Sequence, residues 1–395
     1  MHNNQLNAHS AARAPSPVLS RRRFFFLSGA GLAASAITAG CGYFPPEEGA
    51  AYAPWRWPDP DDSPELRAVG AAVLAANPHN TQPWRFEVQD RRIDLFADFA
   101  QSLGPLDPYR REMHIGLGCA VENLRIAAEA EAGLTVTDLL PAGDDTHIAT
   151  AQLSGDPGTP SPLLQRINKR RTNRGPYVDR EVPAGLGPDL DDLIEDVEIE
   201  LTVLRTASDR QDFRQAVIDA TRAIIDDTEM NEASHSWYRH TEEEIEAHRD
   251  GLTLDTTGIG AGTRFFGKIG SRPDADKAAK YWLKNTIEYQ TTAGAFCILT
   301  ASARHSALFE VICGRTFQRI HLFADSVGLG VQPLNQMPER SDREEQLGLA
   351  PEFTERLSTF IPSGRVPLMV FRIGYPLETA FTACRKPVEW VTEVR

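Results

Sequence analysis

Cysteine is scarce in this chain, and its few cysteines lie far apart. Five occur among 395 residues, and no two of them form a Cys-x-x-Cys pair. The pattern indicates neither a zinc site nor a disulfide framework. Apart from Cys41 near the N-terminus, we expect most of the cysteines to be buried small apolar residues, namely Cys119, Cys297, Cys313 and Cys384.

Basic side chains are outnumbered by acidic ones after the N-terminal 40 residues. After residue 40 the chain has 37 Lys and Arg against 55 Asp and Glu, a formal charge of −18. Such a charge argues against nucleic acid as a partner. The Gly-x-Gly-x-x-Gly fingerprint is absent as well, so no separate NAD domain is indicated. A basic cluster inside this acidic chain is therefore expected to have a function.

Long apolar stretches are rare, and the clearest one follows a run of arginines near the N-terminus. Arg21-Arg22-Arg23 precedes the stretch 24–40, which is short for a membrane span of about 20 residues. These features resemble a twin-arginine export signal. Small residues before Cys41 resemble a lipoprotein cleavage site, although Thr38 stands where Leu is usual. We expect an exported protein, periplasmic or held at a membrane surface by lipid on Cys41; export without lipid and an uncleaved anchor remain alternatives.

Composition divides the chain into four segments. Residues 1–40 form the predicted signal, and residues 41–64, rich in proline and acidic side chains, are interpreted as a tether. The turn-forming run Gly155-Asp156-Pro157-Gly158-Thr159-Pro160 is the clearest internal boundary. It separates a first half, residues 65–160, from a second half, residues 161–395.

Hydrophobic periodicity predicts long helices with short strands scattered between them. Strands are expected at 85–88 and 92–97, as a hairpin, and at 135–140, 148–153, 198–204, 296–300 and 366–373. Helical patterns cover 65–75, 109–132, 161–169, 208–227, 230–248 and 305–327. This mixture implies an α+β layered sandwich with a mixed sheet.

The most informative motif is Arg170-Arg171-Thr172-Asn173-Arg174, which places three guanidinium groups and a hydroxyl in one short stretch. Arginine forms planar, bidentate, charge-assisted bonds to phosphate that lysine cannot reproduce. The run therefore indicates a phosphate site. On its own it could equally be a solvated basic helix end.

A second segment carries groups that suit a flat heterocycle, and two other stretches accompany it. Asn80-Thr81-Gln82-Pro83-Trp84 combines amides with an aromatic ring, and 327–336 is a glycine-rich run that ends in Asn335 and Gln336. The stretch 371–376 precedes the basic pair Arg385-Lys386.

Taken together, these segments resemble the nitroreductase family of FMN enzymes. The arginine run is similar to the family's Arg-Arg-Ser-x-Arg motif, with Thr172 in place of Ser. The Asn80 segment is similar to the family's Pro-Ser-x-x-Asn-x-Gln-Pro-Trp loop, although the Pro-Ser pair is missing. The matches extend from about residue 65 to residue 386, and no single one decides the assignment.

One departure from the family pattern is informative. Ordinary members carry the arginine run before the Asn-x-Gln-Pro-Trp loop in a chain of about half this length, and pair as two-fold dimers with flavin at the interface. Here the order is reversed. The resemblance therefore implies a nitroreductase-like three-layer sandwich in which two halves are fused as a pseudo-dimer, as in the Acg-type subgroup. It also implies one FMN per chain; a monomeric pseudo-dimer and a further homo-oligomer both remain open.

The same resemblance implies roles for individual residues. Phosphate would be bound by Arg170, Arg171, Arg385 and Lys386, with the Thr172 hydroxyl beside phosphate or ribityl. Arg174 would lie near flavin N1, where a cation stabilises the reduced ring. Asn80 would bond the polar edge of the ring, and Gln82 belongs to the same set. Main-chain groups around Asn335 and Gln336 would lie near N5.

Several neighbouring features have more ordinary interpretations. Trp84 is expected to be core packing, and Gln82 to hold its loop by hydrogen bonds. His79 needs no catalytic role, because hydride transfer of the family's type requires no acid or base from the protein. The acidic helix 241–246 is most simply a solvated face, whereas the aromatic residues between 237 and 240 could belong to a lid.

The resulting prediction is an exported FMN-dependent oxidoreductase that passes two electrons through flavin N5 to a small acceptor, nitroaromatic or quinone-like. A twin-arginine signal fits this prediction, since that route carries folded proteins with cofactor already inserted. The alternatives are a flavin-binding or flavin-sequestering lipoprotein without turnover, and a structural lipoprotein that has lost its cofactor. Unpaired arginines clustered inside a fold argue against the last, because they are costly without an anion.

Overall fold

The computed structural model describes residues 43–395, and residues 45–395 form one compact unit. The predicted signal and Cys41 lie outside the described residues. The helices are α1 (Pro64–Ala72), α2 (Arg111–Ala132), α3 (Leu186–Asp191), α4 (Ala207–Asp226), α5 (Thr228–Ser236), α6 (Glu242–His248), α7 (Ala261–Ile269), α8 (Ala275–Asn285), α9 (Ala307–Ser326), α10 (Gln336–Leu347), α11 (Glu352–Ser358) and α12 (Val388–Val391). The strands are β1 (Trp84–Gln89), β2 (Arg92–Ala97), β3 (Leu134–Leu139), β4 (His147–Leu153), β5 (Glu200–Leu204), β6 (Ala295–Ala301), β7 (Gly330–Pro333), β8 (Val366–Gly374) and β9 (Thr392–Val394).

The first sheet has the strand order β3-β4-β2-β1-β9. β1 and β2 form the expected antiparallel hairpin, with Trp84 opposite Ala97 and Gln89 opposite Arg92. β9, from the far end of the sequence, pairs in parallel with β1 and makes this a mixed sheet. The predicted boundary at residue 160 therefore leaves out one strand of the first sheet.

The second sheet has the order β5-β6-β8-β7 and is antiparallel throughout. Every residue of β6 is buried, because helices cover both faces of this sheet. Cys297 and Leu299 belong to the same core as Phe317 of α9. Phe296, which points to the other face, packs against Phe213 of α4 with ring centres 5.0 Å apart. Helices, sheet and helices thus form the expected layers, and the α+β prediction with a mixed sheet is confirmed.

The two halves meet where α2 crosses α9. A methyl group on Gly118 would overlap the carbonyl oxygen of Val311, and one on Gly314 would overlap that of Ile115. Val311 lies three residues before Gly314, and Ile115 lies three residues before Gly118. Each glycine therefore contacts a carbonyl group one turn before the other glycine. Such reciprocity is the signature of a two-fold contact, and here both partners belong to one chain. The crossing supports two related halves in one chain.

The segment predicted as a tether is packed against the fold. Residues 50–56 form a 3₁₀-helix, and Ala51, Tyr52 and Trp57 are buried. The indole N–H of Trp55 donates to Ala383 O (2.8 Å), and that of Trp57 donates to Arg67 O (2.7 Å). The proline and acidic content of this segment indicated a tether, but Tyr52, Trp55 and Trp57 pack against the fold. Packing of these aromatic side chains offsets the cost of ordering the segment.

Two helix predictions were wrong. Residues 161–169 contain only the 3₁₀-turn Leu164–Arg166, and 230–248 is broken into α5 and α6. The four cysteines after Cys41 are all buried, as expected. No helix between residues 43 and 395 combines the length and the apolar character needed to cross a membrane.

Candidate functional site

A cavity of about 610 Å³ lies where both halves contribute walls. Its walls come from the loop 76–79, the beginning of α2, the arginine run, the segment 231–290 and residues 332–339. Aromatic and sulfur-containing side chains cover much of it, among them Tyr238, Phe317, Met369, Phe266 and Trp282. The cavity is the size and character of a pocket for a flat organic molecule.

A smaller cavity of about 40 Å³ shares residues with the large one. Four arginines line it: Arg170, Arg171, Arg174 and Arg385. Arg174 and Thr172 border both cavities. Sequence analysis predicted this clustering, although Arg385 lies more than 200 residues from the arginine run.

The arginine run is held in place by its neighbours in the second half. Thr172 forms a parallel bridge with Val331 of β7, and Asn173 N donates to Val331 O (3.0 Å). Arg372 of β8 is buried and donates from Nη2 to Gly175 O (2.7 Å) and Asn173 O (3.2 Å). These bonds fix the backbone from which the guanidinium groups extend.

None of the four clustered arginines has an ion pair with any residue between 43 and 395. Their hydrogen bonds go to neutral acceptors: Arg170 to Leu74 O (3.0 Å), Arg385 to Ala75 O (3.1 Å) and Arg174 to Thr256 O (3.2 Å). Many other buried charges are paired, as Glu122 is with three arginines of α2 and α9, although Arg372 also bonds only to neutral acceptors. Asp325 acts on Arg170 and Arg171, and Glu47 acts on Arg171, without a direct ion pair. Because buried charge without a direct partner is costly, an anion bound among these arginines would stabilise them.

Burial and mutual repulsion perturb these guanidinium groups. Burial, with the adjacent Arg171, lowers the pKa of Arg170 to about 10. Burial, with Arg170, lowers the pKa of Arg385 to about 9. Burial also lowers the pKa of Arg174 and of Arg171. The buried Nε atoms of Arg170 and Arg385 have no hydrogen-bond partner, which leaves donors for an anion.

Trp55 is the common packing surface of the cluster. The guanidinium carbons of Arg171, Arg385 and Arg170 lie 4.3, 5.1 and 6.0 Å from its ring centre. Its π-face partly offsets their repulsion. Sequence analysis missed Trp55 because it assigned residues 41–64 to a tether; an aromatic pair, Trp55 and Trp57, within that acidic segment was the available signal.

Asn80 and Gln82 do not offer free groups to a ligand. The amide NH₂ of Asn80 donates to Gly251 O (3.1 Å) and Cys384 O (2.9 Å), and its oxygen accepts from Arg385. Gln82 donates to Arg249 O (2.7 Å) and accepts from Lys386 N (2.9 Å). We had expected Asn80 at the ring edge; the structure places it behind Arg385. Gln82 holds its loop by hydrogen bonds, which is the structural role expected for it.

The loop that carries these amides is strained. His79, Asn80 and Gln82 have φ values of 45°, 58° and 53°, which non-glycine residues rarely adopt. Their hydrogen bonds to distant carbonyls maintain the conformation. His79 borders the large cavity and its Nε2 hydrogen-bonds to Ser234 Oγ (3.1 Å). Trp84, which follows the loop, is buried in the core, as expected.

Lys386 lies apart from the arginine cluster. Its Nζ is 3.5 Å from Asp250 Oδ2 and 3.3 Å from Gln101 Oε1, and it lines neither cavity. The expectation that Lys386 binds phosphate is therefore not supported by its placement, since its charge is already neutralised.

Asn335 and Gln336 reach the large cavity but differ in their free groups. Asn335 accepts from Val370 N (2.8 Å) and donates to Met369 Sδ (3.3 Å). The buried Oε1 atoms of Gln336 and of Gln332, which also lines the cavity, have no partner. Both residues therefore bring an unsatisfied acceptor to the wall of this space. Sequence analysis missed Gln332, and it also missed Glu112 and Glu339 in the same wall.

The chain matches no family model. It is similar to "Putative NAD(P)H nitroreductase Rv3131" of Mycobacterium tuberculosis, with 28% identity over 172 residues, 42% of this chain and 46% of that protein. It is also similar to "Putative NAD(P)H nitroreductase acg" of the same organism, with 32% identity over 116 residues, 28% of this chain and 35% of that protein. The chain thus spans less than half the length of either curated relative.

Two solved structures show a looser likeness. One is a nitroreductase with bound FMN from Bacteroides fragilis, at 13% identity and TM-score 0.33, covering 57% of this chain and 94% of that one. The other is the FMN- and NADPH-dependent nitroreductase NfnB from a strain described as sphigopyxis sp., at 19% identity and TM-score 0.37, covering 59% of this chain and 98% of that one. These superpositions are too loose to support an argument.

Proposed function

We propose that this chain is an FMN-dependent oxidoreductase of the nitroreductase type. The observation that carries the proposal is the cluster of four arginines without carboxylate partners beside a large, aromatic cavity. FMN has the complementary parts, namely a dianionic phosphate joined to a flat ring. The similarity to curated NAD(P)H nitroreductases supports the same choice.

The phosphate is assigned to the small cavity. Arg170 and Arg385 have buried Nε donors without partners, and Arg171 packs on the same indole. A dianion there would remove their mutual repulsion and supply the missing acceptors. Because the arginine run occurs once in the sequence, we propose one FMN per chain.

The ring is assigned to the large cavity. FMN supplies two-electron chemistry at its N5 position when bound. Arg174, which borders both cavities, provides a half-buried positive charge close to where a reduced ring would carry negative charge. The free oxygens of Gln332 and Gln336 accept hydrogen bonds from donors on the ring or ribityl chain. Thr172, beside Arg174, offers a hydroxyl to the ribityl chain.

The acceptor is a small aromatic molecule, nitroaromatic or quinone-like. Tyr238, Phe317, Phe266 and Trp282 give the remaining cavity surfaces for stacking. Much of this wall comes from residues 231–290, a segment that includes the aromatic residues considered above as a lid.

The full chain, purified from the cytoplasm, provides the test. We expect flavin absorbance and about one releasable FMN per chain, and both are expected to fall sharply in Arg171→Ala. A colourless protein that does not take up added FMN would refute the proposal. The flavin-loaded protein is then mixed with NAD(P)H and afterwards with a quinone. Loss and return of the flavin absorbance would indicate an enzyme, whereas an unchanged spectrum would indicate a protein that only stores flavin.

A flavin-sequestering protein without turnover is the second candidate. The enclosure of the cavity by residues 231–290 favours it, since such a wall restricts access by a second large substrate. Reduction by dithionite but not by NAD(P)H would favour this alternative.

Export belongs to the same proposal. It rests on Arg21-Arg22-Arg23 and on the small residues before Cys41. Replacing Arg21 and Arg22 by Lys should block export, and mass spectrometry of the mature chain should find lipid on an N-terminal Cys41. Normal export of the double variant would remove the twin-arginine interpretation.

A further inference from the structure

Two carboxyl groups meet in the wall of the large cavity. Glu112 lies in the first turn of α2, and Glu339 lies in the first turn of α10. Both border the cavity and are only 5% and 6% exposed. Their side chains hydrogen-bond to each other. Two carboxylates have acceptors only, so this bond requires one of the two groups to hold a proton.

The surrounding charges favour that proton. Asp107 accepts from Glu112 N (3.1 Å) and Met113 N (3.0 Å), directly behind the pair. Arg111 is the buried cation of the group, with Nε 2.8 Å from Asp342 Oδ2 and Nη2 3.6 Å from Glu112 Oε1. Four carboxyl groups thus gather around the buried Arg111.

Asp342 is shared by Arg111 and by the half-buried Arg304, which contacts it at 3.2 Å. Burial above all, and then the neighbouring carboxylates, raise the pKa of Glu112 to about 7. The same causes raise the pKa of Glu339 well above its ordinary value. The pair is therefore an acid that is still protonated near neutral pH.

Unpartnered groups beside the pair indicate a ligand at this wall. Glu112 Oε1 is buried and has no hydrogen-bond partner. Gln336, one turn before Glu339 on α10, lines the same cavity, is 6% exposed and has a free Oε1. A merely structural acid pair would be expected to satisfy these atoms within the protein. Both atoms belong to residues that line the cavity, so a ligand held there is the group that could satisfy them.

We propose that the Glu112–Glu339 pair is the proton donor to the acceptor reduced in this cavity. This inference rests on the proposed function. With flavin bound and reduced, a quinone-like acceptor would gain two electrons as a hydride, and the pair would supply the one proton that the product also needs. The carboxyl O–H bond breaks and an O–H bond forms on the acceptor oxygen. The pair is left with one additional negative charge, which a proton from solvent then removes.

The test compares an acceptor that needs a proton with one that does not. The full chain, loaded with FMN and reduced by dithionite, is mixed with menadione or with ferricyanide in a stopped-flow instrument. Glu112→Gln and Glu339→Gln should each slow menadione reduction about 100-fold at pH 7. Ferricyanide, which accepts electrons without a proton, should react with them as with the wild type. Equal slowing with both acceptors, or none with menadione, would overturn the proposal.

The pH dependence gives a second criterion. The wild-type rate with menadione should fall as the pH rises through the Glu112 pKa of about 7, because the donor is then ionised. Both Gln variants should lose this dependence. Glu344→Gln is the matched control, since Glu344 is buried on the same helix, accepts from Phe353 N (3.1 Å) and does not line the cavity. If a Gln variant fails to fold, Glu339→Asp keeps the acid and should retain the pH profile at a lower rate.

Infrared spectroscopy tests the shared proton without any turnover. The wild type should show the carbonyl band of a buried protonated carboxyl at pH 6, weaker at pH 9 and reduced in either Gln variant. Absence of the band would overturn the proposal. A chain that shows the band but binds no FMN would refute the proposed function and the proton delivery together, leaving the shared proton itself intact.

Discussion

Arg385 donates a hydrogen bond to the side-chain oxygen of Asn80, although 305 residues of chain separate the two. Asn80 is itself fixed by two main-chain carbonyl groups, Gly251 O and Cys384 O. The guanidinium group of Arg385 is therefore positioned by the fold before any anion binds. A ligand that meets preorganised donors loses less free energy to ordering them.

The first prediction separates Arg385 from its neighbour Lys386. Arg385→Ala should weaken FMN binding about 30- to 100-fold, because a charged hydrogen bond to phosphate is lost. Lys386→Ala should change it less than about twofold, since Lys386 pairs with Asp250, which Arg239 also neutralises at 2.6 Å. Calorimetric titration of the flavin-free chain with FMN measures both. Equal losses would contradict the placement of the phosphate.

The second prediction concerns the cost of an unpaired charge. Without FMN, Arg170→Met should be more stable than the wild type by roughly 1 kcal/mol, since a buried guanidinium group without an ion pair is removed. Saturating FMN should stabilise the wild type much more than the variant. Urea unfolding with and without FMN gives both values. A flavin-free variant less stable than the wild type would mean that the Arg170 bond to Leu74 O outweighs the charge.

The third prediction is a pH dependence caused by His79. Burial, with the nearby Arg174, lowers the pKa of His79 to about 4. Since the pKa of an unfolded histidine is near 6.5, the neutral ring contributes stability that is complete above about pH 6.5 and is lost as the pH falls towards 4.

Over that pH window the wild type should lose on the order of 2 kcal/mol of unfolding free energy relative to His79→Asn. Asn does not titrate and tolerates the φ of 45° at this position. Urea midpoints at pH 7 and pH 4.5 for both proteins provide the comparison. Parallel changes in the two would show that His79 ionises freely in the folded state.

The fourth prediction tests the crossing of α2 and α9. Gly118→Ala should destabilise the fold by roughly 2–3 kcal/mol, because its methyl group meets the Val311 carbonyl oxygen in a packed core. Gly187→Ala, in α3, is the control: its methyl group would enter open space, and alanine is the better helix former. Thermal unfolding compares the two variants. An unchanged melting temperature for Gly118→Ala would contradict the close contact between α2 and α9.

Local patterns predicted the elements whose apolar residues have a regular period. α2 and α9 lie within one or two residues of their expected limits, and the β1–β2 hairpin was correct. α7 and α8 were missed although both are amphipathic, because each is short and follows a turn-forming residue, Gly260 before α7 and Pro273 before α8. β9 is three residues long and depends on pairing with a strand at the other end of the sequence.

In the candidate site, the types of residue in the sequence predicted which arginines come together. They did not predict where Lys386 lies or which partners Asn80 has. The arginine run and Arg385 were expected to meet because arginine suits phosphate, and the structure brings them to one small cavity. The placement of Lys386 and the role of Asn80 depend on hydrogen-bond partners that no local pattern reveals. Glu112 and Glu339 escaped notice for the same reason, because isolated glutamates on helices are usually exposed. Their meeting in one wall is a property of tertiary packing.

The pairing of β9 with β1 has a consequence for the order of folding. The segment that ends in β9 carries Arg385 back to the first half, so the arginine cluster cannot assemble until residue 385 has been synthesised. Contacts between such distant residues are slow to form. If the cluster binds FMN as proposed, flavin cannot guide the early folding of residues 45–160, and a nascent chain that stalls before Arg385 would lack a complete phosphate site.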